Sequence, residues 1–135
     1  MSFDLHHVHV FASNIDATIQ WWCRHLHAKV LLDQDLAGSR NVLLAVGSGR
    51  LNIYDQPPKD HGRGAIHHLG VKVGDLRQVW QRLQVDGVAS RRGLREQDGW
   101  RYVMVSAPDD VLVELFEFDD PTAPANIVGR LELEP

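Results

Sequence analysis

From His6 to Ala12 the chain alternates, with His7, His9 and Phe11 on one side and Val8, Val10 and Ala12 on the other. That is the period of a strand with one polar and one apolar face. Asn14 then stands where a helix N-cap belongs, and Ile15, Ile19, Trp22 and Leu26 follow at spacings of four, three and four, which predicts a helix with one apolar stripe. The helix is expected on the Val8 and Val10 side of a sheet. Val- and Leu-rich segments at 28–32 and 41–46, then Gly47-Ser48-Gly49 turning into 51–54, predict a three-strand meander after the first strand and helix.

About half the chain later the same order returns. His68-Leu69-Gly70-Val71-Lys72-Val73-Gly74-Asp75 repeats in outline His7-Val8-His9-Val10-Phe11-Ala12-Ser13-Asn14, and such a duplication signal governs how the rest is read. Asp75 is the second N-cap, Leu76, Val79, Trp80 and Leu83 form the second stripe, and Gly87 offers the stop. Strands are expected at 88–90, 100–105 and 111–118, with a polar loop carrying Gly93 and Gly99 and a turn at Ala107-Pro108-Asp109-Asp110. Each half thus reads βαβββ, module one spanning about 5–56 and module two about 66–118. Pro57, Pro58, Gly62 and Gly64 make 57–65 a linker, and 119–135 reads as a loosely ordered tail with Ile127, Val128 and Leu131 as docking candidates.

A length of 135 residues with 44% hydrophobic content fits a single domain whose halves share a core. The formal charge of −4 argues against a nucleic-acid partner. Arg91, Arg92, Arg95 and Arg101 nevertheless cluster, either as a solvated loop or as a clamp for an anionic substrate group. Cys23 is the only cysteine, so an intrachain disulfide is excluded, and beside Trp21 and Trp22 it reads as buried packing. With no signal-peptide pattern and no run of roughly 20 apolar residues, a cytoplasmic protein without a membrane partner is the expectation.

Alternation puts His7 and His68 on faces turned away from the helices, where two equivalent imidazoles would line one concavity. Glu114 lies within Leu112-Val113-Glu114-Leu115-Phe116, where an unpaired carboxylate costs several kcal/mol, of order ~3, by desolvation. A divalent cation on His7, His68 and Glu114 would supply the partner, and two histidines with one carboxylate leave positions open for water or substrate. A single strand histidine is commonly a surface or hydrogen-bonded residue. The placement of these residues at matching points of a repeat is what favours the ligand reading.

These residues resemble the vicinal oxygen chelate superfamily, which includes glyoxalase I, bleomycin-resistance proteins, extradiol dioxygenases, fosfomycin-resistance transferases and methylmalonyl-CoA epimerases. The resemblance covers about 5–118. His7 and His68 stand at the family's strand-one histidine, five residues before the turns Ala12-Ser13-Asn14 and Val73-Gly74-Asp75. Ala107-Pro108-Asp109-Asp110-Val111-Leu112-Val113-Glu114-Leu115 is similar to the closing pattern D-P-D-G-x-x-x-E-L, from which Ala107 and Asp110 depart. The resemblance implies an α+β fold in which two βαβββ modules form a curved mixed sheet around a metal-holding cup. It also implies one divalent metal ion (Zn, Ni, Mn, Co or Fe, not distinguished) on His7, His68 and Glu114, a small-molecule substrate and a homodimer.

Where glyoxalase I carries a fourth ligand, Leu51-Asn52-Ile53 places Asn52, a weak ligand that cannot act as a carboxylate base. His9 shares the face of His7 and titrates near neutrality, so it is the candidate base, or else a hydrogen-bonding neighbour or an extra ligand. Asn52, Tyr54, Trp100, Arg101, Tyr102 and Phe116 are candidates for contacting substrate, while His6, His25, His27, His61 and His67 read as structural or exposed. The first expectation is a glyoxalase-like lyase or isomerase in which the metal chelates vicinal oxygens and stabilises an enolate or alkoxide. The alternatives are an extradiol-type ring-cleaving dioxygenase and a metal-free binding protein of the bleomycin-resistance type.

Overall fold

A computed structural model describes residues 2–60 and 64–120. His61 and the docking candidates Ile127, Val128 and Leu131 lie outside the described residues. Module one runs β1 (Val8–Phe11), α1 (Ile15–Leu26), β2 (Lys29–Leu36), β3 (Ser39–Val46) and β4 (Gly49–Tyr54). Module two repeats it as β5 (Leu69–Lys72), α2 (Leu76–Val85), β6 (Arg95–Gln97), β7 (Trp100–Ser106) and β8 (Leu112–Phe118). Each module makes its own four-stranded mixed sheet, in the orders β1-β4-β3-β2 and β5-β8-β7-β6. β1 lies parallel to β4 and β5 parallel to β8, and the other pairings are antiparallel. The fold is therefore α+β, glyoxalase-like, with the duplication visible in strand order as well as in sequence.

Both helices start where their caps place them. Asn14 Oδ1 accepts from Ala17 N at 3.1 Å and Asp75 Oδ1 from Gln78 N at 3.2 Å, each satisfying a first-turn donor that has no partner inside the helix. Glu117 adds a second acceptor for α2, taking a hydrogen bond from Leu76 N at 2.7 Å. The buried stripe of α1 is Ile15, Thr18, Trp22, His25 and Leu26. Ile19 is only half-buried, so the stripe is rotated from the expected one, and Cys23 is half-buried rather than enclosed. On the helix-facing side of module one Val42, Leu44 and Ile53 are fully buried, as are Leu76, Leu83, Val103, Val105, Val113 and Leu115 in module two. At roughly 1.5–3 kcal/mol for each such side chain, these two faces supply most of the folding drive.

The expected strand at 88–90 is not formed, and β6 lies at Arg95–Gln97, inside the expected loop. Ala89 O still accepts from Ser106 N at 3.1 Å, so the chain begins to pair with β7. It then bends away where Gly93 adopts φ +65 and its N–H turns to Ser90 Oγ, and pairs again from Arg95. The turn Ala107–Val111 groups with module one, leaving His67–Ser106 and the described residues from Leu112 as the other compact unit. Asp109 anchors it by accepting from Ser13 N at 3.0 Å and Ser13 Oγ at 2.5 Å. Asp109 and Asp110 both take φ +60. The family pattern has glycine at the position of Asp110, and the left-handed region explains why: glycine is free there and aspartate is among the few other residues that enter it readily.

Candidate active site

In module two the pleat sends Leu69, Val71, Val113, Leu115, Val103 and Val105 toward α2, and the opposite face carries Gly70, Lys72, Glu114, Phe116, Met104 and Tyr102. His68, one residue before β5, sits at the start of that outer face. Its Nε2 stands 3.7 Å from Glu114 Oε2, with the Glu114 side chain 21% exposed. This separation is too long for a hydrogen bond. Two bonds of about 2.1 Å at a tetrahedral angle span about 3.4 Å, so a shift of a few tenths of an ångström brings both atoms within reach of one divalent ion. Gly70, between His68 and Lys72, adds no side chain to the face beside Glu114.

Module one has the corresponding outer face. Across it His9 pairs with Asn52 and Asn52 with Leu43, while Phe11 pairs with Tyr54 and Tyr54 with Asn41. His7 and His9 approach with ring centroids 6.2 Å apart, and His9 meets Tyr54 edge-on at 5.2 Å. Asn41 is buried and spends its amide donors on Leu36 O and Ser39 O, leaving Oδ1 to accept from Asn52 Nδ2 at 3.5 Å. Asn52 is thereby held with its own carbonyl oxygen free on the face. Sequence reading missed Asn41, because only strand register reveals that it lies beside Asn52.

Each module also opens with a histidine pair. His6 and His7 meet Nδ1 to Nδ1 at 2.9 Å, and His67 and His68 at 2.8 Å. In each pair one ring must donate and the other accept. When His68 is the neutral donor, the proton sits on Nδ1 and the Nε2 lone pair facing Glu114 is bare.

Burial, and after it the charge of His7, holds His9 below its ordinary value of 6.5. The unfolded chain therefore takes up this proton first as the pH falls. His9's contribution to stability is complete above about 6.5 and is lost as the pH drops through the depressed folded value. NMR titration of the metal-free protein should give a His9 midpoint under 6.5, moving upward in His7→Gln. An unmoved midpoint would remove His7 as a cause.

The sequence pattern of the Glyoxalase/Bleomycin resistance protein/Dioxygenase superfamily matches residues 4–115. The chain belongs to this superfamily. Among solved structures, a glyoxalase family protein from Enterococcus faecalis is 27% identical, with a TM-score of 0.70 over 84% of this chain and 97% of that one. The trypanothione-dependent glyoxalase I of Leishmania major is similar in fold at 19% identity, with a TM-score of 0.78 over 97% of this chain and 96% of that one. A fosfomycin resistance protein, FosX, from Listeria monocytogenes, a mutant complexed with Mn(II) and 1S,2S-dihydroxypropylphosphonic acid, has 16% identity and a TM-score of 0.71 over 85% of this chain and 92% of that one. No curated protein matches the sequence.

Within this superfamily chain the expected site residues divide by unit. His7, His9, Asn52 and Tyr54 belong to one compact unit, and His68, Glu114, Trp100, Tyr102 and Phe116 to the other. Among the described residues no group of three or more His, Cys, Asp or Glu side chains is gathered closely enough to hold a metal ion, and no helix is long and apolar enough to cross a membrane.

Arg101 departs from its expected role. Register pairs it with Glu117 on the α2 side of the sheet, where its side chain, 14% exposed, meets Glu117 at 3.4 Å, Glu96 at 4.0 Å and Asp119. The hydrogen bond that it donates to Asp119 is the main cause raising its pKa. It therefore shares no face with Glu114, because adjacent residues on a strand point to opposite sides. Arg101→Met should lower stability by roughly 1–2 kcal/mol, Glu96 and Asp119 being water-screened, and leave metal affinity within about twofold. Urea unfolding and metal titration check both halves.

Proposed function

We propose that this chain is a divalent-metal-dependent enzyme of lyase or isomerase type, with His7, His68 and Glu114 as the metal ligands and His9 as the base. The proposal treats 5–118 as one working domain whose modules bring their ligands to one ion, within a chain or between the two copies of a homodimer. The reducing cytoplasm suits its single cysteine. The observation that carries the proposal is the facing pair of His68 Nε2 and Glu114 Oε2 at 3.7 Å. That separation is too long for a hydrogen bond and close to what two ligands of one cation require. His7 occupies the equivalent point of the repeat, and the Mn(II) complex of FosX supports a divalent ion in this fold.

When bound, such an ion supplies a Lewis acid that polarises two neighbouring oxygens of a small substrate. Burial and His7 favour the neutral form of His9, so it would accept a proton from the substrate carbon and return it one atom away. Asn52, held by Asn41, accepts a hydrogen bond from a substrate hydroxyl. Tyr54 packs against His9 and fixes its ring.

Protein loaded in turn with Zn, Ni, Mn, Co or Fe and offered α-hydroxy carbonyl compounds in D2O should exchange deuterium at the carbon beside the carbonyl. His9→Gln should lower that rate by about 100-fold or more with metal content unchanged. Oxygen consumption on a catechol with iron alone would replace this reading by ring cleavage, and full ligand affinity without metal would replace it by a binding protein.

A further inference from the structure

The outer face of module two carries a second pattern beside the ligand pair. Lys72, Phe116, Tyr102 and Arg95 stand in one row across all four strands, since each pairs in register with the next. The adjoining row is Phe118, Trp100 and Gln97. Trp100 stacks on Tyr102 with centroids 4.9 Å apart and 21° between the rings, and Phe116 meets Phe118 edge-on at 5.4 Å. Three half-exposed rings, Phe116, Tyr102 and Trp100, thus pave a patch backed by the buried Phe118, with a cation at each end of the first row. Neighbouring strands lie about 4.8 Å apart, so the two cationic backbone positions are about 14 Å from one another.

Three features separate this patch from ordinary core. Trp100, Tyr102 and Phe116 are half-exposed, whereas Val103, Val105, Val113 and Leu115 on the α2-facing side of β7 and β8 are fully buried. Lys72 and Arg95 are exposed, and among the described residues neither has an ion pair or ring contact; the arginine and acids that do pair, Arg101 with Glu96, Glu117 and Asp119, are on the other face. The patch also begins two residues along β8 from Glu114, about 7 Å away, which is the reach of one six-membered ring and its substituent.

We infer that this face selects the substrate, taking a planar aromatic or conjugated ring that carries an anionic group. The inference rests on the proposed function in setting the substrate's chelating oxygens at His68 and Glu114. The ring then lies over Phe116 and Tyr102, where a flat π-system finds stacking partners that a puckered ring of equal size does not. The anionic group meets Lys72 or Arg95 at the edge of the patch, and the guanidinium offers a fork that fits a carboxylate. Glu114, the one acid on this face among the residues paired here, is turned to His68 and lies at the far end of the face from Arg95.

The test is titration of the full chain with 2-naphthoate, its saturated counterpart decahydro-2-naphthoate, and neutral 2-naphthamide, followed calorimetrically and by the indole N–H signals, with and without Mn(II). We expect 2-naphthoate to bind about 10-fold or more tightly than either comparator, with the Trp100 signal, identified by its loss in Trp100→Phe, moving most. The double variant Lys72→Met/Arg95→Met, both exposed positions, should bring naphthoate down to the affinity of naphthamide. Tyr102→Leu should bring it down to that of the saturated acid. Equal affinities for the three compounds, no binding by any of them, or preferences untouched by the variants would overturn the inference. Mn(II) bound without a preference for naphthoate defeats this inference alone. A preference that persists in a protein unable to bind any divalent ion defeats the proposed function and leaves this face as a ligand-binding surface.

Discussion

Leu115→Ala is expected to destabilise the protein by about 2–5 kcal/mol. Leu115 is fully buried on β8, between Val71 of β5 and Val103 of β7, on the side it shares with Leu76 and Leu83 of α2. Truncation loses the transfer energy of three carbons and leaves a cavity at the centre of a four-stranded sheet, where strands paired on both sides cannot close inward. A loss of this size lowers the melting midpoint by roughly 10 °C in a domain of this length. Chemical unfolding by urea checks it. A change below about 1 kcal/mol would contradict the packing described for module two.

One residue earlier the expectation reverses. Glu114→Gln should leave stability within about 1 kcal/mol of the wild type, or raise it, because a carboxylate 21% exposed among hydrophobes gives up a charge and keeps its shape. On the proposed function its effect falls on metal binding instead. A carboxamide is neutral and a poor ligand, so affinity for a divalent ion should fall by about 100-fold or more. Stability and metal affinity are therefore read separately on adjacent residues that point to opposite faces of one strand. Loss of fold in Glu114→Gln with unchanged metal affinity would invert the assignment.

The duplication made the architecture legible. Two alternating runs, each closed by an N-cap and followed by an apolar stripe, fixed two βαβββ modules and both helix starts, because capping and periodicity are local properties. The elements that depended on partners were harder to read. Val88–Ser90 has the composition of a strand, yet the bend at Gly93 moves the pairing to Arg95–Gln97, and nothing in the local sequence favours one over the other.

The same division holds for the candidate site. His68 and Glu114 were identifiable from the repeat and from an acid among hydrophobes, and they face each other within one module. Arg101 was misread because a basic cluster does not announce which face each member takes; β7 register gives it to Glu117 and leaves Arg95 on the outer face. Asn41 and Lys72 acquire their neighbours only through pairing with Tyr54 and Phe116. Side-chain company across a sheet is set by register, and register is a property of two strands at once.

The central claim is that His7, His68 and Glu114 hold one ion. Anomalous diffraction from crystals of the protein loaded with Mn(II) or Zn(II) tests it most directly. The account predicts one peak per chain, about 2.0–2.3 Å from His7 Nε2, His68 Nε2 and a Glu114 carboxylate oxygen, with open positions facing the aromatic patch. A peak ligated by other residues, or no peak in protein that His68→Ala leaves equally metal-loaded, would contradict it.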